Sequence, residues 1–222
     1  MVIPARLLSH SRWRNARWLV LAPHPDDETL GAGALIAETA RDGRLAAIAY
    51  LTDGTGSHPA GTAGLASVRR REARLAIQRL AGAGQRIVSV GWQDARPAEP
   101  SSAPFERSRL ALGALIRAER IDAIAVTAEN ETHCDHVAAY LLARAVAASA
   151  RRAVALFAYR VWSDADRRPA LRTNAMPAGR RRHALAAHRS QLSPSMGPGF
   201  RLSASEGQMP GFDRLELRDV HR

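Results

Sequence analysis

Five short apolar runs recur along the chain, at residues 17–23, 45–52, 86–92, 121–127 and 153–160. Each is short and continuous, the pattern of a strand buried on both faces. Between them lie Ala- and Leu-rich stretches of helical periodicity at residues 30–42, 65–82, 104–119, 134–149 and 178–190. This alternation predicts an α/β fold built on a mostly parallel, doubly wound sheet. In the common strand order 3-2-1-4-5, the first and fourth strands are neighbours where the winding reverses, and ligands bind at that point. The stretches at residues 56–64 and 94–104 read as mobile loops near the same edge, candidates for substrate contacts or a lid. From Ser193 onward the pattern is irregular until Arg214-Leu215-Glu216-Leu217, a candidate last strand.

At 222 residues, 46% of them hydrophobic, the chain can bury one substantial core, and a single domain over residues 1–222 is expected. One cysteine excludes an internal disulfide and fits a reducing compartment. The longest apolar run near the N-terminus, Trp18 to Ala22, is too short for a signal segment or a membrane span. A soluble, cytoplasmic protein with no transmembrane segment is therefore expected. Association with a membrane surface and homo-oligomerisation stay open.

A net charge of +11 attracts polyanions in general. The arginines are nevertheless spread along the chain, and the few aromatic residues are not interleaved with them, so no specific nucleic-acid partner is expected. The denser runs are Arg69-Arg70-Arg71, Arg151-Arg152 and Arg180-Arg181-Arg182. They read either as solvated helix faces or as a rim favouring an anionic substrate.

The chemistry concentrates where two strands end. Pro23-His24-Pro25-Asp26-Asp27-Glu28-Thr29-Leu30-Gly31 follows the first strand, and Glu129-Asn130-Glu131-Thr132-His133-Cys134-Asp135-His136 follows the fourth. His24 and Asp27 are three apart, as are His133 and His136, a spacing that turns two side chains toward one point. A catalytic zinc takes three nitrogen or oxygen ligands and keeps an open position, and His24, Asp27 and His136 would supply such a set. Simpler readings stand beside this one. Asp26 or Asp27 can cap the following helix, Glu28 can favour its dipole, and Cys134 reads as a small packing residue. His188, a polar residue on an Ala-rich helix, reads equally as a surface or a pocket group, whereas His10, His58, His183 and His221 read as surface.

Those two clusters resemble the PIG-L/LmbE family of zinc-dependent N-deacetylases, which act on N-acetylglucosaminyl compounds. Thr52-Asp53-Gly54, Arg69-Arg70-Arg71-Glu72 and the late His188-Arg189-Ser190-Gln191 add weaker matches, so the likeness spans about residues 17–192. Cys134 stands where the family usually has proline. The resemblance implies a Rossmann-like three-layer sandwich and a Zn2+ cofactor on His24, Asp27 and His136. It implies Asp26 as general base, and His133, protonated and oriented by Asp135, as the group that stabilises the oxyanion or protonates the leaving amine. Arg69 and His188 would contact a small or conjugated aminosugar. The rival reading is a nucleotide- or nucleic-acid-binding α/β protein whose acidic cluster holds magnesium. Against it, an acidic turn repels phosphate unless a cation intervenes.

Overall fold

The computed structural model describes residues 5–164, 168–203 and 209–221, the side chain of His221 lying outside the described residues. The chain runs β1 (Arg6–Leu7), β2 (Trp18–Ala22), α1 (Asp27–Arg41), β3 (Leu45–Thr52), α2 (Leu65–Ala81), β4 (Ile87–Trp92), α3 (Ala103–Ala118) and β5 (Ala123–Thr127). It continues with α4 (Cys134–Ala148), β6 (Val154–Tyr159), β7 (Ala170–Arg172), α5 (Arg180–Leu185), α6 (Arg189–Leu192) and β8 (Arg214–His221).

Among the described residues, eight strands form one sheet in the order β1-β7-β8-β6-β5-β2-β3-β4. The five expected strands lie side by side in the expected order and are parallel. β2, β5 and β6 are buried along their whole length, as strands covered on both faces must be, and this is why they read as unbroken apolar runs. One core packs α1, α2 and α5 on one face through Leu35, Ile77 and Leu185, and the other packs α3 and α4 on the opposite face through Ile116 and Leu142. The result is a three-layer α/β/α sandwich.

The candidate last strand at Arg214–Leu217 is present and longer than expected: β8 runs eight residues, antiparallel to both β6 and β7, and carries the sheet outward to β1. The helix expected over 178–190 is broken into α5 and α6 at Ala186–His188. The cause lies in α2, where Glu72 accepts hydrogen bonds from the Ser190 amide at 2.9 Å and its hydroxyl at 2.6 Å, holding α6 at its own angle.

Leu21 pairs with Ala49 of β3 on one side and with Val126 of β5 on the other, so β2 and β5 end together. From there the chain turns into α1 on one face and α4 on the other, the geometry of a winding reversal. Gly31 sets the depth of α1: a Cβ there would fall 2.3 Å from Cδ2 of Tyr159 and 2.8 Å from the Arg160 carbonyl oxygen. No described helix is long and apolar enough to cross a membrane.

Candidate functional site

The turn after β2 is held at every peptide. The Pro23 carbonyl accepts from the Thr52 amide at 3.0 Å, and the Pro25 carbonyl accepts from Arg69 and from Gln191, each at 3.1 Å. The Asp26 carbonyl accepts the Thr29 and Leu30 amides, both at 2.9 Å, opening α1. These ties hold Asp26 at φ +143°, a backbone conformation rare outside glycine and typical of strained functional turns. Glu28, fully buried, accepts the Asp26 amide at 2.9 Å and the Thr29 hydroxyl at 2.6 Å. It therefore shapes the turn, and no helix-dipole argument is needed for it.

This turn meets the start of α4 at one point. Asp27 Oδ2 lies 3.0 Å from His24 Nδ1 and 3.2 Å from His136 Nε2. Ligands about 2.0–2.1 Å from a tetrahedral zinc lie roughly 3.3 Å from one another, and the two spacings to Asp27 are of that size. Behind each imidazole stands a carboxylate. His24 Nε2 is 3.0 Å from Asp135 and 3.3 Å from Asp94, whereas His136 Nδ1 faces Glu131 at 3.7 Å, too long for a hydrogen bond and close enough for attraction between charges. A carboxylate behind a ligating histidine fixes its tautomer and makes it a better donor. His24 and His136 with His133 also form a cluster whose nitrogens could surround one ion.

The electrostatics agree. Burial alone would lower the His24 pKa, yet Asp135, Asp27 and Asp94 hold it well above the ordinary imidazole value. Burial is likewise outweighed at His136, which Asp27 and Glu131 raise to about 9. Asp27, although buried, is held below the usual carboxylate range by His136 and His24. The carboxylates thus draw positive charge onto two imidazoles at the point where a metal cation would compete for it. Imidazole nitrogens facing a carboxylate suit zinc better than magnesium, which prefers oxygen and water.

Asp26 and His133 both line the same cavity, of about 420 Å3. Burial and then the charge of Asp27 raise the Asp26 pKa to about 7, against the pull of Arg69, His188 and His24. His133 caps α4: its Nδ1 accepts the Asp135 amide at 3.2 Å, so the neutral ring carries its proton on Nε2. Burial and His24 hold His133 below the ordinary imidazole value. The expected protonated imidazole is, in this arrangement, a neutral donor.

Several expectations are corrected. The Asp135 carboxylate does not bond His133, whose Nδ1 stands 3.9 Å from it and takes the Asp135 amide instead; Asp135 Oδ2 accepts from the Ala95 amide at 2.8 Å and pairs with His24. His188 is neither at the surface nor among the residues lining the cavity: it is fully buried, with Nε2 3.7 Å from Glu28. Cys134 is exposed rather than packed, and His58 is buried rather than exposed. His10 and His183 are at the surface. Arg69 turns inward while Arg70 and Arg71 face solvent; its guanidinium donates to the Gly54 and Pro25 carbonyls and to Ser57. Arg181 is also buried, against Asp213.

Asp94 and Glu131 were not singled out in the sequence. Asp94 lies two residues past the end of β4, on the strand edge that carries the other clusters, and it also accepts the Gly56 amide at 2.7 Å. Position at a strand end was the available signal. The loops it joins do reach the site: Gly56, Ser57 and Ala95 line the cavity.

The family model for PIG-L, described as GlcNAc-PI de-N-acetylase, matches residues 19–147, more than half of the chain. Comparison with curated proteins returns no sequence match. Among solved structures, the chain is similar to N,N'-diacetylchitobiose deacetylase from Pyrococcus horikoshii, at 23% identity and TM-score 0.66 over 84% of this chain and 75% of that one. It is similar to the conserved protein TT1542 from Thermus thermophilus, at 26% identity and TM-score 0.60 over 79% and 80%. A deacetylase of the teicoplanin biosynthetic pathway aligns at 17% identity and TM-score 0.65 over 91% and 99%.

Proposed function

The chain belongs to the PIG-L family of N-deacetylases, and from that premise we propose that it is a zinc hydrolase releasing acetate from an N-acetylglucosamine-type sugar or its conjugate. The observation that carries this reading is that Asp27 Oδ2 lies 3.0 Å from His24 Nδ1 and 3.2 Å from His136 Nε2 on the lining of a cavity, with a carboxylate behind each imidazole. His24, Asp27 and His136 hold the metal. When bound, zinc supplies a Lewis acid for the amide carbonyl and a means of activating water near neutral pH.

The chain's own groups do the rest. Asp26, with a pKa of about 7, takes the proton from the attacking water as general base and returns it to the amine nitrogen as the C–N bond breaks and acetate leaves. His133 donates from Nε2–H to the carbonyl oxygen as negative charge develops there, in a partly dehydrated pocket where such a bond counts for more than in water. Glu28 and the buried His188 behind it hold the strained Asp26 turn, so His188 is a positioning residue and does not contact the substrate. Arg69 lines the cavity, held in place by hydrogen bonds to two carbonyls and a hydroxyl, and presents its positive charge to the substrate. On this proposal residues 1–222 work as one catalytic unit in the cytoplasm.

The test is acetate release from a panel of N-acetylated sugars, sugar phosphates, glycolipids and nucleotide sugars, with zinc measured in the same samples. Activity should be abolished by a chelator and restored by zinc. If zinc-loaded protein cleaves other amides or esters and none of the sugars, the sugar assignment falls. If it holds no zinc and needs none, the metal assignment falls.

A further inference from the structure

The cavity is not uniformly polar. Beside polar residues such as Ser57, Arg69 and Asp94 it is lined by two aromatic rings, Trp162 and Phe200, whose centroids are 6.4 Å apart at an interplanar angle of 83°. Trp162 also packs against the core, and the two rings meet edge to face, so they present one apolar patch to the cavity. Phe200 is 48% exposed.

Both rings are positioned by specific contacts. Trp162 follows β6, and its amide donates to Glu131 at 3.1 Å while the Val161 amide and the Ser163 hydroxyl donate to the same carboxylate at 2.9 and 2.8 Å. Phe200 comes from the opposite side. Its amide donates to the Ser57 carbonyl at 2.7 Å, and the preceding Gly199 lies so close to His58 that a Cβ there would fall 2.7 Å from the imidazole. The buried His58 is thus the shelf on which this segment rests, and two segments distant in sequence bring their rings to one side of one cavity.

Resting on the reading given above, we propose that Trp162 and Phe200 form an aromatic wall, one ring presenting its face and the other its edge, for the apolar C–H groups of the pyranose ring that carries the amide. A pyranose has a hydroxyl-bearing rim and apolar faces. In a cavity lined by both polar and aromatic groups it satisfies both at once, which an acyclic amide of the same functional group does not. The wall therefore selects a ring, and the metal cluster selects the amide on it.

The test is equilibrium binding by NMR titration of N-acetylglucosamine and of acyclic N-acetylethanolamine, in the zinc-loaded Asp26→Asn protein, alone and combined with Trp162→Ala, Trp162→Phe or Phe200→Ala. Loss of an aromatic contact should weaken the sugar about fivefold to tenfold and the acyclic amide less than twofold. Trp162→Phe should stay near the parent. Phe200, being half exposed, gives a variant that folds if Trp162→Ala does not. Equal sugar affinity in all variants, or an equal loss for both ligands, overturns the wall. Sugar that binds through the wall while the wild type releases no acetate leaves the wall standing and removes the deacetylase reading. Absence of sugar binding in every protein, the parent included, removes the wall itself.

Discussion

Glu131→Ala gives the sharpest test of how the site is held. Its carboxylate accepts the Val161 and Trp162 amides and the Ser163 hydroxyl, and it faces His136 Nδ1 at 3.7 Å. Removal leaves the buried Val161 amide and the half-buried Trp162 amide without an acceptor. An unsatisfied buried donor costs about 1–3 kcal/mol, so the two together, one of them partly reached by water, should cost roughly 2–4 kcal/mol. The same change strips His136 of its supporting carboxylate, which should weaken zinc about tenfold to a hundredfold. Glu131→Gln keeps one oxygen but presents an amide N–H to either His136 or the backbone donors, so it should fall between the two. Stability is read by denaturant unfolding of the metal-free protein, because bound zinc would itself shift the equilibrium. Zinc affinity is read by competition with a chromophoric chelator. Unchanged zinc affinity beside lost stability would make Glu131 a loop anchor with no hold on His136. Unchanged stability would refute the hydrogen-bond reasoning itself.

Other outcomes follow from the same geometry. Asp26→Asn should retain zinc and lose about a hundredfold or more of turnover, whereas Asp27→Asn should lose zinc; elemental analysis beside acetate assays exchanges the two roles if the results reverse. Gly31→Ala gains up to about 1 kcal/mol of helix propensity but drives a methyl into Tyr159 and the Arg160 carbonyl, so it should be destabilised by roughly 1–3 kcal/mol net and bind zinc more weakly, and a wild-type melting curve would show the contact to be soft. In metal-free protein, His136 titrates at about 9 instead of near 6.5, so folding takes up protons and the stability from this group is full below about pH 6.5 and lost as pH rises through about 9. Melting temperatures should decline over that window, and zinc should offset the decline; a flat metal-free profile would mean that His136 carries no raised pKa.

The late helix shows where local pattern stops being informative. Residues 178–190 have one continuous helical pattern, and the break at Ala186–His188 comes from Glu72 on another helix gripping Ser190. His188 reads as ambiguous for the same reason: its burial depends on Glu28, which is 160 positions away by the numbering of the chain. The short strands β1 and β7 carry too few residues for any period to register, and they exist because β8 offers β7 an edge and β7 in turn offers one to β1.

What the sequence by itself determined is whatever depends on near neighbours. Continuous apolar runs made the central strands, their alternation with helices made the doubly wound order, and His24 with Asp27 at a strand end made half of the His/Asp cluster. His136 joins them because β2 and β5 are adjacent at the winding reversal, a consequence already contained in the strand order. Tertiary structure alone decided the partners of these groups. Asp135 turned to His24, 111 residues away, rather than to its neighbour His133, because the His133 ring was already engaged as the cap of α4 by the Asp135 amide. Asp94, Glu131, His58 and Gly199 acquired their places the same way, through hydrogen bonds and close approaches between segments far apart in the chain. Charge, burial and contact at that range depend on where the backbone goes, and a linear pattern records only what a residue's immediate neighbours impose on it.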